Sequence, residues 1–364
     1  MRRMSKIAVV AVVASLALAG CGTNHKTTND KKTGSASGDV CKGFKSGSSV
    51  KLAIAFDVGG RGDHSFNDAA YAGAEKAVSD AGASCIDAQA TVGETDAQRA
   101  DRLKQLADKG ANAIVGVGFL YSNAVNTVAP QYPKVNFLVV DGFDPDKTAN
   151  PNVAYDAFQP QESSFLVGVA AALKTKSKKV GFIGAVPGAV IGPFEAGYIA
   201  GVHAVDPTIK VDSQYIVQSG DKGFNDPSDA KTIAQTMLDN GDDVIFHAAG
   251  LSGSGLFEAV AAAGDGKWAI GVDGDQYGSA TKDQQPHILT SALKRVDTGV
   301  YDFAASVKAG QPQTSYVTYD LKNNGVGVAY SGGFIDDIKT KIDDYATKIK
   351  DGTIKVPTDP SKVQ

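Results

Sequence analysis

Residues 56–71 read FDVGGRGDHSFNDAAY. The run KLAIAF leads in and AAYAGAEKAVSDAGA leads out. The first has the apolar continuity of a strand buried on both faces. The second repeats small or apolar residues (Phe66, Ala70, Gly73, Ala74, Ala77, Val78, Ala81) at helical spacing. The stretch is therefore a strand-to-helix turn. It carries aspartates, an aromatic and an amide rather than the Gly-x-Gly-x-x-Gly of a dinucleotide turn or the Gly-Lys-Ser/Thr of a phosphate loop.

The same alternation continues along the chain. SCIDAQA, NAIVGVG and VNFLVVDG read as strands separated by helical segments, and KKVGFIGAV, KVDSQYIVQ, DDVIFHAAG and KWAIGVDGD form a second series. Strands alternating with helices predict parallel sheets covered on both faces. The fold class is α/β: two doubly wound parallel-sheet lobes joined by hinge strands, like a type I periplasmic binding protein. Lobe one is expected over residues 50–156, completed by about 291–316. Lobe two is expected over 157–290, completed by about 317–356. A length of 364 residues fits two such units.

The first 21 residues form a separate module. Arg2, Arg3 and Lys6 precede an apolar stretch, residues 7–19, too short to span a bilayer comfortably, and Leu18-Ala19-Gly20-Cys21 resembles a lipobox. This predicts export, removal of the leader and diacylation of Cys21, which places the protein on the extracytoplasmic side of the cell membrane. Two acyl chains are what stable anchoring needs. Residues 22–49 are polar and small, and read as a flexible tether with a reach of roughly 30 Å. Cys41 and Cys85 remain; an even pair in an exported chain predicts a disulfide. The formal net charge is −4, and it becomes more negative once the basic leader is removed. That argues against nucleic acid or an anionic membrane surface as a partner.

Open α/β sheets bind ligands beyond the carboxyl ends of their strands. The residues placed there are Asp57, Asp63, Phe66 and Asn67, then Phe119, then Asp141; in the second series, Phe224 and Asn225, the segment AAGLSGSG containing Gly250, and Asp273; on a crossing segment, Lys294 and Arg295. This set is rich in acids, aromatics and amides and poor in bases, so phosphate is a poor ligand. Carboxylates accept from neighbouring hydroxyls, aromatics cover a flat ring, and an amide reads a base edge. Sugar plus planar polar ring means nucleoside. The five histidines show no metal-ligand spacing, and no serine or cysteine has an evident base. The chain reads as a binding protein, not an enzyme, with no cofactor. A sugar or signalling-molecule receptor of the same fold is the alternative reading; a nucleoside hydrolase-like enzyme is a weaker one.

DVGGRGDHSFNDAAYAG resembles the signature of the basic membrane lipoprotein family, the purine-nucleoside-receptor type of substrate-binding lipoprotein. FLVVDG, PNVAYDAFQPQESSFLVGVAAAL, AAGLSGSGLFEA, GVDGDQ and LTSALKRVD follow in the family's order, and the likeness spans most of residues 50–357. The resemblance implies capture of nucleosides, purine nucleosides foremost, for the membrane permease of an ABC importer. It implies that Asp57 and Asn67 hold the nucleoside from lobe one with Phe66 against the base. Asp141 would bond base or sugar, Phe224 would stack from lobe two, and Gly250 would let the backbone approach. Asp273 and Lys294 would grip the ribose hydroxyls. His64 and Gly62 depart from the family's usual residues and leave base preference open.

Overall fold

The apolar run before the opening turn forms strand β1, Lys51–Ala55, in a computed structural model that describes residues 39–363. Every residue of β1 after Lys51 is buried, as helices on both faces require. β1 lies inside a six-stranded parallel sheet with β2 (Ser84–Ala88), β3 (Ala113–Gly116), β4 (Asn136–Val140), β5 (Val153–Phe158) and β11 (Ser315–Tyr319), in the order β11-β5-β4-β3-β1-β2. The second sheet holds β6 (Lys179–Gly184), β7 (Lys210–Tyr215), β8 (Val244–Ala248), β9 (Trp268–Asp273), β10 (Ile288–Lys294) and β12 (Val326–Val328), in the order β12-β10-β9-β8-β6-β7. Only β12 runs antiparallel. Each sheet reverses its strand order beside its first strand, between β1 and β3 and between β6 and β8. Side chains from the ends of those strands can meet in one crevice.

The helices are α1 (Phe66–Ala81), α2 (Asp96–Asp108), α3 (Ser122–Val128), α4 (Pro160–Lys174), α5 (Gly192–Val205), α6 (Pro227–Asp239), α7 (Gly253–Ala263), α8 (Val296–Lys308) and α9 (Lys339–Lys350). α1 packs on α8 in lobe one, and α4 packs on α5 in lobe two. At the α4–α5 crossing a Cβ on Gly201 would collide with the Phe165 carbonyl, so glycine permits the close approach. No helix among the described residues is long and apolar enough to cross a membrane.

The chain crosses between lobes after β5, after β10 and between β11 and β12. Three boundaries differ from expectation, the first because β5 keeps the chain in lobe one to Phe158 rather than 156. Residues 291–294 end β10 and pair in the second sheet, and β11 keeps the chain in lobe one to Tyr319 rather than 316. The crossing segments are themselves strands, so hydrogen-bond pairing, and not composition, sets where each lobe stops.

The end of the expected tether is packed on the body. Cys21 and residues 22–38 lie outside the described residues, but residues 39–49 are held on lobe one. Cys41 is buried and bonded to Cys85, and the Gly43 amide donates to the Cys85 carbonyl. The Val40 amide donates to the Tyr71 hydroxyl, which donates to Asp39. One covalent bond and a few polar contacts hold this polar segment, where composition alone shows little to bury.

Candidate ligand-binding site

The opening turn is ordered by Asp63. Its carboxylate accepts from the amides of Ser65, Asn67 and Asp68 and from the Asn67 side chain. It thus satisfies the free N–H groups at the start of α1, the work usually done by the residue just before a helix. Ser65 occupies that position and makes no side-chain cap. Its hydroxyl is free to reach the other lobe, where it lies 2.8 Å from Asp273 Oδ2. The Asp63 carboxyl is pushed up to about 6 by burial, against the pull of its three amides. Asp63 is buried, and the Arg61 guanidinium lies over the Tyr71 ring.

Asp57, two residues after β1, points into the cleft. Its amide donates to Asn67 Oδ1, and its Oδ1 accepts from Val58 N–H. A Cβ on Gly118, after β3, would overlap the Asp57 carboxylate, and Gly118 has φ +97°. Only glycine meets both conditions. Burial raises the Asp57 pKa to about 7, opposed by the Val58 amide and Arg99 and reinforced by Asp221 and Asp141. Asn67 borders the cleft, but its amide is engaged with Asp57, Asp63 and the Val58 carbonyl, so it braces the turn.

The two strand-Asp-Gly sequences occupy matching places. Asp141 follows β4 with φ +55°, and Asp273 ends β9 with φ +61°. Aspartate tolerates this left-handed conformation better than most residues, and such strain concentrates at functional sites. Both carboxylates converge on Lys294, the last residue of β10. Its Nζ is 2.6 Å from Asp141 Oδ2 and 3.4 Å from Asp273 Oδ1. Burial works against the ammonium, yet the two carboxylates outweigh it and hold the Lys294 pKa above its ordinary value. The ammonium also lies 4.5 Å from the Phe66 ring centre and 5.4 Å from that of Phe194.

All eight residues singled out in the sequence as ligand-binding line this one cleft. Asp57, Phe66, Asn67 and Asp141 come from lobe one; Phe224, Gly250, Asp273 and Lys294 come from lobe two. Phe224 lies in a short turn, Lys222–Phe224, and Gly250 (φ +54°) faces it from the turn after β8. The arrangement combines aromatic walls, carboxylate tips and one cation between two hinged lobes. It can enclose a small molecule, stack a ring and bond several hydroxyls.

Comparison with known proteins agrees with this architecture. Residues 50–360 match the family model Bmp, described as ABC transporter substrate-binding protein PnrA-like. The chain belongs to the Bmp family. It is an ABC transporter substrate-binding protein of that family. The chain is 35% identical to a CD4+ T-cell-stimulating antigen of Listeria innocua over 379 aligned residues, covering 99% of each protein. It is 34% identical to the ABC transporter nucleoside-binding protein BmpA of Lactococcus lactis, covering 98% of this chain and 99% of that one. Among solved structures, an ABC transporter solute-binding protein from Aeropyrum pernix superposes with a TM-score of 0.73 at 27% identity, covering 86% of this chain and 95% of that one.

For a Bmp-family cleft, the sequence reading missed the apolar wall. Val190, Ile191 and Phe194, at the start of α5, line the site. Apolar residues opening a helix look like core, and no local signal separates a wall that faces ligand from one that faces its own sheet. Ser65 was missed as well, because its partner Asp273 is 208 residues away. His247 is buried outside the cleft, against Gln276 and the Phe257 ring, and burial lowers its pKa to about 4.

Proposed function

We propose that this chain is an extracytoplasmic, lipid-anchored receptor that captures nucleosides, purine nucleosides foremost, and delivers them intact to the permease of an ABC importer. One observation carries the reading. Phe66 and Phe194, from opposite lobes, flank the same pocket as Asp57, Asp141 and Asp273, with Lys294 between them. Rings suit a flat base; carboxylates and a lysine suit ribose hydroxyls, which donate and accept. A free sugar would use the carboxylates but offers no planar π face to the two rings. The name of the Lactococcus relative, a nucleoside-binding protein, supports the same choice.

Binding follows closure. Groups from both lobes reach the ligand together only when the lobes approach, so ligand draws the open–closed equilibrium toward closed. Anchoring through Cys21 keeps the receptor near its permease. The test is mass spectrometry of the compound released from purified protein by denaturation, paired with calorimetry against inosine, guanosine, adenosine, cytidine and uridine. A released purine nucleoside and purine-selective heat are expected. A released sugar without a base, with no heat from any nucleoside, would overturn the reading.

A further inference from the structure

A second junction between the lobes lies at the rim, and neither Arg99 nor Asp221 belongs to the cleft lining. Asp221, in the lobe two loop before Phe224, accepts from the Gly93 amide of lobe one at 3.1 Å through both carboxylate oxygens. Arg99, on α2 of lobe one, places Nη2 3.5 Å from Asp221 Oδ2. The Arg99 side chain is 4% exposed and that of Asp221 12% exposed. The Arg99–Asp221 pair is thus largely shielded from solvent, while the Gly93 bonds are exposed.

The lobe one half is built independently of lobe two. Arg99 Nη1 donates to the Glu94 carbonyl and lies 3.5 Å from Asp96. Thr95 and Gln98 close a reciprocal cap at the start of α2. Glu94 is paired with Arg102, which donates to the Tyr121 hydroxyl, and Tyr121 donates to the Phe56 carbonyl beside Asp57. These contacts all lie within lobe one and use no group of lobe two. The lobe two half is one residue on a turn. The Asp221 carbonyl accepts from the Phe224 amide, so Asp221 and the ring of Phe224 move together.

We infer that Arg99 and the Gly93 amide form a preformed catch for Asp221, a ligand-independent latch that sets how readily the lobes close and seats Phe224 as they do. The inference goes beyond the choice of ligand and holds for any guest of this cleft. A contact made only in the closed state raises the closed fraction, and apparent affinity scales with that fraction. Asp221 and Arg99 are positioning residues: they touch the segments that carry the ligand groups, not the ligand.

Asp221→Asn and Asp221→Ala test this in the full chain. Inosine is the probe, with dissociation followed by stopped flow and ligand-free solution scattering recorded alongside. Removing the charge is expected to weaken inosine binding about tenfold, as loss of a hydrogen bond to a charged group does. The change should appear as faster dissociation at an unchanged melting temperature, with Asp221→Glu closer to the parent. Dissociation within twofold of the parent for both Asn and Ala variants would overturn the latch. If the parent does not bind inosine, the nucleoside reading fails and the ligand-free scattering decides the latch. A more open Asp221→Ala profile supports it, and a profile identical to the parent's overturns it.

Discussion

Lys294 Nζ donates to Asp141 Oδ2 across 2.6 Å, joining the last residue of a lobe two strand to the end of a lobe one strand. The ammonium also pairs with Asp273 Oδ1 at 3.4 Å and stands beside the Phe66 ring. Lys294→Met keeps the length of the side chain and removes the charge, leaving two buried carboxylates without a counter-ion. Truncating one partner of such a pair costs about 2–5 kcal/mol. Inosine affinity measured by calorimetry is therefore expected to fall at least ~30-fold. A change of less than threefold would remove Lys294 from the site.

Phe66 is half-buried at the first turn of α1, packs on the core and lines the cleft. Phe66→Ala should weaken nucleoside binding by about 1–3 kcal/mol, roughly fivefold to 150-fold, as loss of one stacked base does. Phe66→Tyr should retain most of the affinity. Equal losses for Ala and Tyr would show that the ring does not stack.

Gly118→Ala introduces a methyl where the Asp57 carboxylate lies, at a backbone angle that L-residues rarely adopt. Overpacking of this kind costs about 1–3 kcal/mol. A lower denaturant midpoint and lost binding are expected together, because Asp57 must move. A variant with parental stability and affinity would show that the turn is not held in this conformation.

Burial raises Asp57 to about 7 and Asp63 to about 6. It also raises Asp156, on β5 against Gly299, well above the usual range; neither of its oxygens has a hydrogen-bond partner. For each group the folded state holds a proton that the unfolded chain releases near pH 4. The native state thus binds more protons between the two pKa values, and stability falls as pH rises through that window. Denaturant melts are expected to show declining stability from about pH 4 to 7. Asp156→Asn should flatten that slope and raise stability at pH 7; a lower midpoint at pH 7 would contradict it.

Cys41 and Cys85 close a loop across 44 positions of sequence. In the chain-entropy account this contributes about 4 kcal/mol through the unfolded state. The double variant Cys41→Ser with Cys85→Ser should lower the denaturant midpoint. Inosine affinity at temperatures where it remains folded should stay within a few-fold, since neither cysteine lines the cleft. An unchanged midpoint would mean that the N-terminal segment adds nothing to the body.

The amino-acid order alone determined the alternation of strands and helices, the two lobes and the residues at the strand ends, because these follow from short-range periodicity and turn chemistry. The Asp-Gly pairs after β4 and β9 were legible for that reason, each marking a strand end within its own few residues. Only the tertiary structure decided that Ser65 reaches Asp273, that Lys294 joins Asp141, that Phe194 walls the cleft and that Arg99 meets Asp221. Those partners lie far apart along the chain, and their meeting depends on how two sheets close on each other. Local sequence carries no record of that approach, since a serine, a lysine or an apolar residue at a helix start looks the same whether it faces solvent, core or the opposite lobe.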